Sequence, residues 1–482
     1  MGDRVPTNPE AFDVLRHDRT RQYLRDIPNF QLYQSAEVLV VVHPDVAGTF
    51  AGQLLTFLTV NLLVRWCRNV KIQSPDASLA AELQRQGSTT LLNRMAEEAK
   101  SADPWTDLFS EPEKPYVIHV GGACPGARDP DLIVGSSGWA ALASRHDNGV
   151  IKPDRSKNPC GPALAACIAC AEALKFAVGL PDELRARDVA ISLFDYSTDG
   201  LIVRPEPPAV ARIGNALMVG AGSVGSNLAY LLSTLQLDGN LSIVDHDIVN
   251  VHNLDRSALF GVQHLGRNKA EIAAEWLHDT LPAQSFPVSY NEYVRTVSRE
   301  PNQIDLVFPL ANEHQVRWAI ANAIPPLSIH GTTRPDWGAN LGRHIPLREP
   351  CLGCRFGVEQ EPVLACSTGD ISSSDGPAES SDAALPFLSM AAATFALAEM
   401  LKTNMAGYPF NRAFVDVDFK GPMTTLAHHD RAYRAGCACE AVDEDIYRRF
   451  NGETRFSAYS IPVRPQPGAK GALSTSPGQG QH

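Results

Sequence analysis

One strand–turn–helix–strand plan is written twice in this chain, and that repetition limits what it can fold into. The first copy opens on Glu37-Val-Leu-Val-Val-Val-His43, a continuous β-branched run of the kind buried on both faces of a parallel sheet. A Gly-containing turn follows, then an apolar helix from about Gly48 to Cys67 and a short strand at Asn69–Ile72. The second copy opens on Asn215–Val219, turns through Gly220-Ala-Gly-Ser-Val-Gly225, carries a helix to about Leu235 and resumes a strand at Leu241–Asp245. Two Ala-rich helices come later. Gly161–Lys175 ends Ala-Glu-Ala-Leu-Lys and Phe387–Lys402 ends Ala-Glu-Met-Leu-Lys, and each precedes an Asp-bearing strand, Asp188–Asp195 and Arg412–Asp418. The same order recurs at a spacing of about 225 residues. The expectation is a tandem duplication: two Rossmann-like α/β domains with mainly parallel sheets, built from right-handed βαβ units. The stiff Arg204-Pro-Glu-Pro-Pro208 divides them into residues 1–205 and 206–461. Residues 462–482, nearly devoid of apolar side chains, read as a disordered tail.

Composition narrows the class. With 44% hydrophobic and 20% charged residues over 482 positions, the chain is an ordinary globular protein. Its net charge of −12 repels phosphate backbones, which argues against a nucleic-acid partner. Met1–Asn29 is charged and lacks an apolar core, and the longest apolar stretches, such as Ala51–Val64, are broken by Gln, Thr and Asn. None reaches the ~18 residues of a membrane span, so the expectation is a cytoplasmic protein, with no membrane partner and reduced thiols.

Gly220-x-Gly222-Ser223-x-Gly225, between a strand and a helix, is a dinucleotide-type phosphate loop whose backbone approaches phosphates at a positive helix N-terminus. Asp245 ends the next strand, where a carboxylate bonds a ribose hydroxyl. Those features alone favour a nicotinamide or flavin enzyme. The following stretch reverses that preference. Asp245-His-Asp247 leads through Asn253-Leu-Asp-Arg256 to Gly266-Arg-Asn-Lys269-Ala270. A dinucleotide needs no such cations, whereas a triphosphate attacked by a carboxylate does, because like charges must be brought together. Arg256 offers a planar fork to phosphate oxygens, Lys269 a mobile point charge, and Asn253 a neutral hydrogen-bonding group.

In these motifs the segment Ile213–Ala270 resembles the adenylation core of ubiquitin-activating enzymes and their bacterial ThiF/MoeB/HesA relatives. The resemblance implies that Gly220, Gly222, Ser223, Gly225, Asp245, Asp247, Asn253, Arg256, Lys269 and Asn312 bind ATP with Mg²⁺, and that Arg256 and Lys269 assist the chemistry. It also implies that Arg21, in Arg19-Thr-Arg21-Gln22, reaches from the first half into the active site of the second. The first half has His43-Pro-Asp45 where a glycine loop would stand, so it reads as an inactive pseudo-adenylation domain, the two halves forming an intramolecular pseudo-dimer with further homo-oligomerisation open. Relatives place an Asp where this chain has Asn312, so Glu313 or Asp247 is left to hold the metal.

The ten cysteines sort by context. Cys351-Leu-Gly-Cys354 and Cys437-Ala-Cys439 supply four thiolates suited to a closed Zn²⁺ site, as relatives carry. Cys167 and Cys170, inside an Ala-rich helix, read as core. Cys366 opens a polar loop that matches the crossover loop in which several relatives place a Cys, and is the candidate nucleophile for a thioester. The functional expectation is ATP-dependent activation of a ubiquitin-like protein ending in Gly, then transfer to a ubiquitin-conjugating-like enzyme. The paired halves look most like activating enzymes of bacterial ubiquitin-like conjugation operons of the Bil type, active in antiphage defence. The rival readings are a sulfur-carrier adenylyltransferase of thiamine or molybdopterin type, a scaffold that has lost catalysis, and a nicotinamide oxidoreductase.

Overall fold

The structure, a computed structural model, describes residues 8–84, 88–198, 204–297, 304–356, 384–405, 413–423, 426–428 and 432–439. Cys366 and the 462–482 segment lie outside the described residues.

Two mixed, mostly parallel sheets carry the two halves. The first comprises β1 (Glu37–Val42), β2 (Asn69–Gln73), β3 (Tyr116–Val120), β4 (Leu132–Ser137), β5 (Ala140–Ser144) and β6 (Asp188–Ser192), in the order β2-β1-β3-β4-β5-β6. The second comprises β7 (Val210–Val219), β8 (Gln236–Val244), β9 (Ala283–Phe286), β10 (Leu306–Pro309), β11 (Ser328–Arg334), β12 (Gly338–His344), β13 (Phe414–Asp418) and β14 (Leu426–His428). Its order is β14-β13-β12-β11-β10-β7-β8-β9. Reading β1, β2, β3, β4, β5 and β6 onto β7, β8, β10, β11, β12 and β13 superposes the two orders, with β9 and β14 added at the edges of the second. In both sheets the first four of these strands pair parallel and the last two antiparallel. This is the duplicated topology that the repeat predicts.

The core runs through both halves without interruption. Helix Phe50–Val64 packs on helix Cys160–Ala177, which packs on Pro386–Lys402, which in turn packs on Ser223–Leu232. Every residue of Phe50–Val64 and of Pro386–Lys402 is buried. A helix that is apolar all round is a central helix, and here the second half supplies the wall that the first lacks. At such a position Leu58→Ala costs about 2–5 kcal/mol through the cavity it leaves.

One expectation about apolar runs is corrected. Helix Cys160–Ala177 extends to 18 residues and is apolar enough, by length and composition, to cross a membrane, but 94% of it is buried inside the fold. Its apolarity faces neighbouring helices. Cys160, Cys167 and Cys170 lie in it fully buried, as core side chains.

Candidate nucleotide and metal sites

Strands β7 and β10 are parallel neighbours whose following chains part in opposite directions, which opens a crevice at their C-terminal ends. The glycine loop lines it. Gly220 has φ +95, and a Cβ there would stand 2.5 Å from the Ala311 backbone nitrogen. A Cβ on Gly225 would lie 2.1 Å from the Gly220 carbonyl, so this glycine lets the helix close on the loop. Gly222 differs from both: its Cβ would meet no heavy atom within 4 Å. It leaves an approach to the backbone that no protein atom fills. Ser223, half-exposed, begins helix Ser223–Leu232, whose Gly222 N-cap gives no side-chain hydrogen bond to its first N–H groups.

The acidic turn is fixed onto this loop. Asp245 Oδ2 accepts from Ala221 N at 2.6 Å and Oδ1 from Asp247 N at 2.9 Å. Burial raises the Asp245 carboxyl, against the pull of Lys269. Lys269 begins helix Lys269–Leu277, and its Nζ meets Asp247 Oδ2 at 2.8 Å. Asn268 holds the two together. Its Nδ2 donates to the carbonyls of Asp245 and Asp247, and its Oδ1 caps the helix by accepting from Ala270 N and Glu271 N.

Arg256 lies on a buried turn. Its Nη1 donates to the His252 carbonyl at 2.8 Å and to Asp255 Oδ1 at 3.0 Å. Asn253, also buried, accepts the Asn250 N–H through Oδ1. Burial and the charges of Arg256, Arg19 and Lys269 push His252 down to about 3, so this imidazole is neutral at physiological pH. Two cationic side chains singled out by sequence, Arg256 and Lys269, therefore bear on one point together with Arg19.

The two arginines of the N-terminal helix bear on different groups. Arg21 donates to the Val14 carbonyl, and its charge bears on His17 and Tyr33. Arg19, two residues earlier on helix Asp18–Leu24, is the one whose charge bears on His252.

Asn312 is exposed on the chain leaving β10, next to Ala311, which backs Gly220. Glu313 follows it, and burial, with the nearby Asp245 and Asp247 carboxylates, raises its carboxyl while His246 and Arg317 pull it down. The ligand atoms of Asp245, His246 and Asp247 lie within 4.8 Å of one another. The two carboxylates are hard oxygen donors of the kind that suits a divalent cation keeping several waters, with the His246 imidazole and Glu313 beside them.

The four thiols at the other end of the second sheet converge as the spacing predicts. Cys351 and Cys437 Sγ are 3.4 Å apart, Cys354 and Cys439 3.3 Å, and Cys437 and Cys439 3.6 Å. A disulfide needs about 2.05 Å. The edge of a tetrahedron with Zn–S bonds of about 2.3 Å is about 3.8 Å, so the set could bind zinc. Arg434 N points at Cys354 Sγ, and a Cβ on Gly353 would strike Trp318, so the knuckle is seated on helix His314–Asn322. Cys366 lies outside the described residues, and its distance from the crevice is not part of this geometry.

Sequence reading missed Asn227, Asp255, Asn268 and Thr20. Asn268 had a signal, an Asn directly before a helical run. The others are polar residues whose partners lie far along the chain.

Comparison with known proteins agrees with this architecture. Residues 209–435 match the ThiF family and residues 37–193 the BilD N-terminal domain. The uncharacterized protein y4jF of Sinorhizobium fredii is 30% identical over 345 residues, covering 68% of this chain and 62% of y4jF. SUMO-activating enzyme subunit 2 of Dictyostelium discoideum is 46% identical over 61 residues, 12% of this chain and 9% of that protein. The chain thus spans less than two thirds of the length of either relative. Among solved structures, E. coli MccB matches with a TM-score of 0.35 at 17% identity, covering 47% of this chain and 65% of that one. E. coli MccB with ATP matches with a TM-score of 0.34 at 16% identity, covering 48% and 66%. The second half of the chain thus belongs to the ThiF family, and it follows a BilD N-terminal domain.

Proposed function

We propose that this protein uses ATP to adenylate the C-terminal carboxylate of a ubiquitin-like protein ending in Gly. The observation that carries the reading is the open face of Gly222 beside Asp245, Arg256 and Lys269, a phosphate cradle with more cationic charge than a dinucleotide requires. The ThiF match and the similarity to a SUMO-activating subunit support the same reaction class.

In this reading the glycine loop and helix N-terminus hold the phosphates, Asp245 the ribose, and Asn253 a ribose or phosphate oxygen. Arg256 and Lys269 neutralise the charge that gathers as a carboxylate oxygen attacks the α-phosphorus. The bond from that phosphorus to the bridging oxygen breaks, pyrophosphate leaves, and an acyl-adenylate forms. Arg21, with Arg19 on the same helix, supplies positive charge from the first half. Asp247 and Glu313 would hold Mg²⁺, which offsets triphosphate charge. Lys269 pairs with Asp247, and in this reading nucleotide binding exchanges that pairing for phosphate contacts.

The thioester step belongs to the same proposal. The Cys366 thiolate attacks the acyl carbon, the carbon–oxygen bond to the phosphate breaks, AMP leaves, and the acyl group passes to a ubiquitin-conjugating-like enzyme. No disulfide joins the nine cysteines among the described residues, which suits a reducing cytoplasm, and the BilD-type domain supports a place in bacterial antiphage conjugation.

The test is pyrophosphate release from ATP on addition of a Gly-ending ubiquitin-like protein. Release is expected with the free carboxylate and lost when that carboxylate is amidated; release indifferent to amidation contradicts the reading. A dithiothreitol-labile adduct that persists in Cys366→Ala would place the nucleophile elsewhere.

A further inference from the structure

Arg65 is an arginine of the first half that is fully engaged at the join. It caps the C-terminal end of helix Phe50–Val64, is 1% exposed, and directs both Nη atoms of its guanidinium into the second half's buried turn. Nη1 donates to the carbonyls of Leu254 at 2.8 Å and Phe260 at 2.6 Å, and Nη2 donates to that of Ala258 at 2.9 Å. Nε is held by Asn61 Oδ1 at 3.1 Å, and Asn61 itself donates to the Ala258 carbonyl. Three carbonyls of one seven-residue turn thus converge on a planar fork, a geometry that an ammonium cannot reproduce.

That turn carries Asp255 and Arg256. Thr20, again from the first half, donates to Asp255 Oδ2 at 3.0 Å, while Asp255 Oδ1 accepts from Arg256. From the opposite side Asn227, on the glycine-loop helix, donates to the Arg256 carbonyl and accepts from Ala258 N. The backbone on either side of Arg256 is therefore gripped between the phosphate-loop helix and the first half. His17 completes the ring by meeting the Arg65 carbonyl.

We infer that Arg65, with Thr20, is a positioning residue for the triphosphate. The first half, without a glycine loop of its own, sets the backbone from which Arg256 reaches phosphate. This rests on the nucleotide reading above and goes beyond it: it assigns the degenerate half a role separate from contributing a cation to the site. A buried hydrogen-bonding set of this kind is costly to leave half-satisfied, so the turn has one low-energy position while Arg65 is present.

The test uses the full chain, calorimetry, and two probes, ATP and adenosine. Wild type is expected to bind both, and Arg256→Ala to lose ATP affinity with adenosine spared. If Arg65 acts through Arg256, Arg65→Lys weakens ATP about 10-fold, or about 1.4 kcal/mol, and adenosine less than about 2-fold. In an Arg256→Ala background it has no further effect on ATP. Equal weakening of ATP and adenosine, full additivity with Arg256→Ala, or unchanged ATP affinity in folded Arg65→Lys each overturns the inference. If Arg65→Lys does not fold, Thr20→Val carries the test, since it removes one hydrogen bond and keeps the side-chain volume. A selective loss of ATP affinity supports the inference and no loss overturns it. Wild type that binds neither probe refutes the nucleotide reading itself, a result distinct from every variant outcome.

Discussion

Lys175 and Lys402 occupy equivalent places in the two halves, and each reaches across into the other. Lys175 Nζ donates to the Gly421 carbonyl at 2.7 Å, and Lys402 Nζ donates to the Phe194 carbonyl at 3.2 Å. Each also pairs with a glutamate one turn earlier on its own helix, Glu172 and Glu399. A homodimer makes such reciprocal contacts through its two-fold axis. Here one chain makes them with itself, so the internal repeat is also the symmetry of the interface.

Both lysines are fully buried, so removing one leaves a buried carboxylate short of a cation, Glu172 losing its partner lysine and Glu399 keeping only Arg343. Lys175→Met and Lys402→Met are each expected to cost about 3–5 kcal/mol. Urea unfolding read by fluorescence should show the midpoint fall with one cooperative transition retained, because a single core spans both halves. Two separate transitions in wild type would contradict the shared core.

The same cluster sets a pH dependence. Burial raises Glu399, but Lys402, Arg343 and Tyr196 outweigh it and hold the carboxyl at about 2. A carboxylate depressed in the folded state stabilises above its unfolded value near 4.5 and loses that contribution as pH falls toward 2. Stability measured between pH 5 and pH 2 should therefore fall more steeply in wild type than in Glu399→Gln. Equal slopes would assign the acid sensitivity to other groups.

The two ends of the glycine loop should respond in opposite ways. Gly220→Ala meets the Ala311 backbone at positive φ and is expected to destabilise the fold by about 1–3 kcal/mol. Gly222→Ala meets nothing in the protein, so melting should barely change while ATP affinity drops about 10-fold or more. Melting curves and nucleotide titrations on the two variants separate a structural glycine from a ligand-facing one.

Metal content checks the cysteine cluster. Protein purified without chelator is expected to hold one zinc per chain by elemental analysis, and Cys354→Ser or Cys437→Ser to lose it. Loss should lower the melting temperature by several degrees, because the site joins the chain after β12 to residues 432–439. Full zinc content in both variants would rule out the four-thiolate set.

How much of this was legible in the sequence follows from the range of each signal. The glycine loop, Asp245, Lys269 and the two Cys pairs are local patterns; the fold gathers the four Cys into one cluster and sets Lys269 beside Asp247. The duplicated strand order was readable because β-branched runs and Ala-rich helices recur in one sequence order. Arg65 gave no such signal. A lone Arg at a helix end reads as a solvated cation, and only the docking of chain 189 residues away makes it buried and fully engaged. Asn227 and Thr20 were hidden for the same reason. In the N-terminal helix, Arg19 and Arg21 are two residues apart and so point to different sides, a distinction that composition does not carry.

Exchange of radiolabelled pyrophosphate into ATP tests the central claim most directly, because it reads reversal of adenylation itself. With wild type and a Gly-ending ubiquitin-like protein, exchange is expected, absent without that protein and reduced at least about 100-fold in Lys269→Ala. No exchange with wild type, or undiminished exchange in Lys269→Ala, would contradict the account.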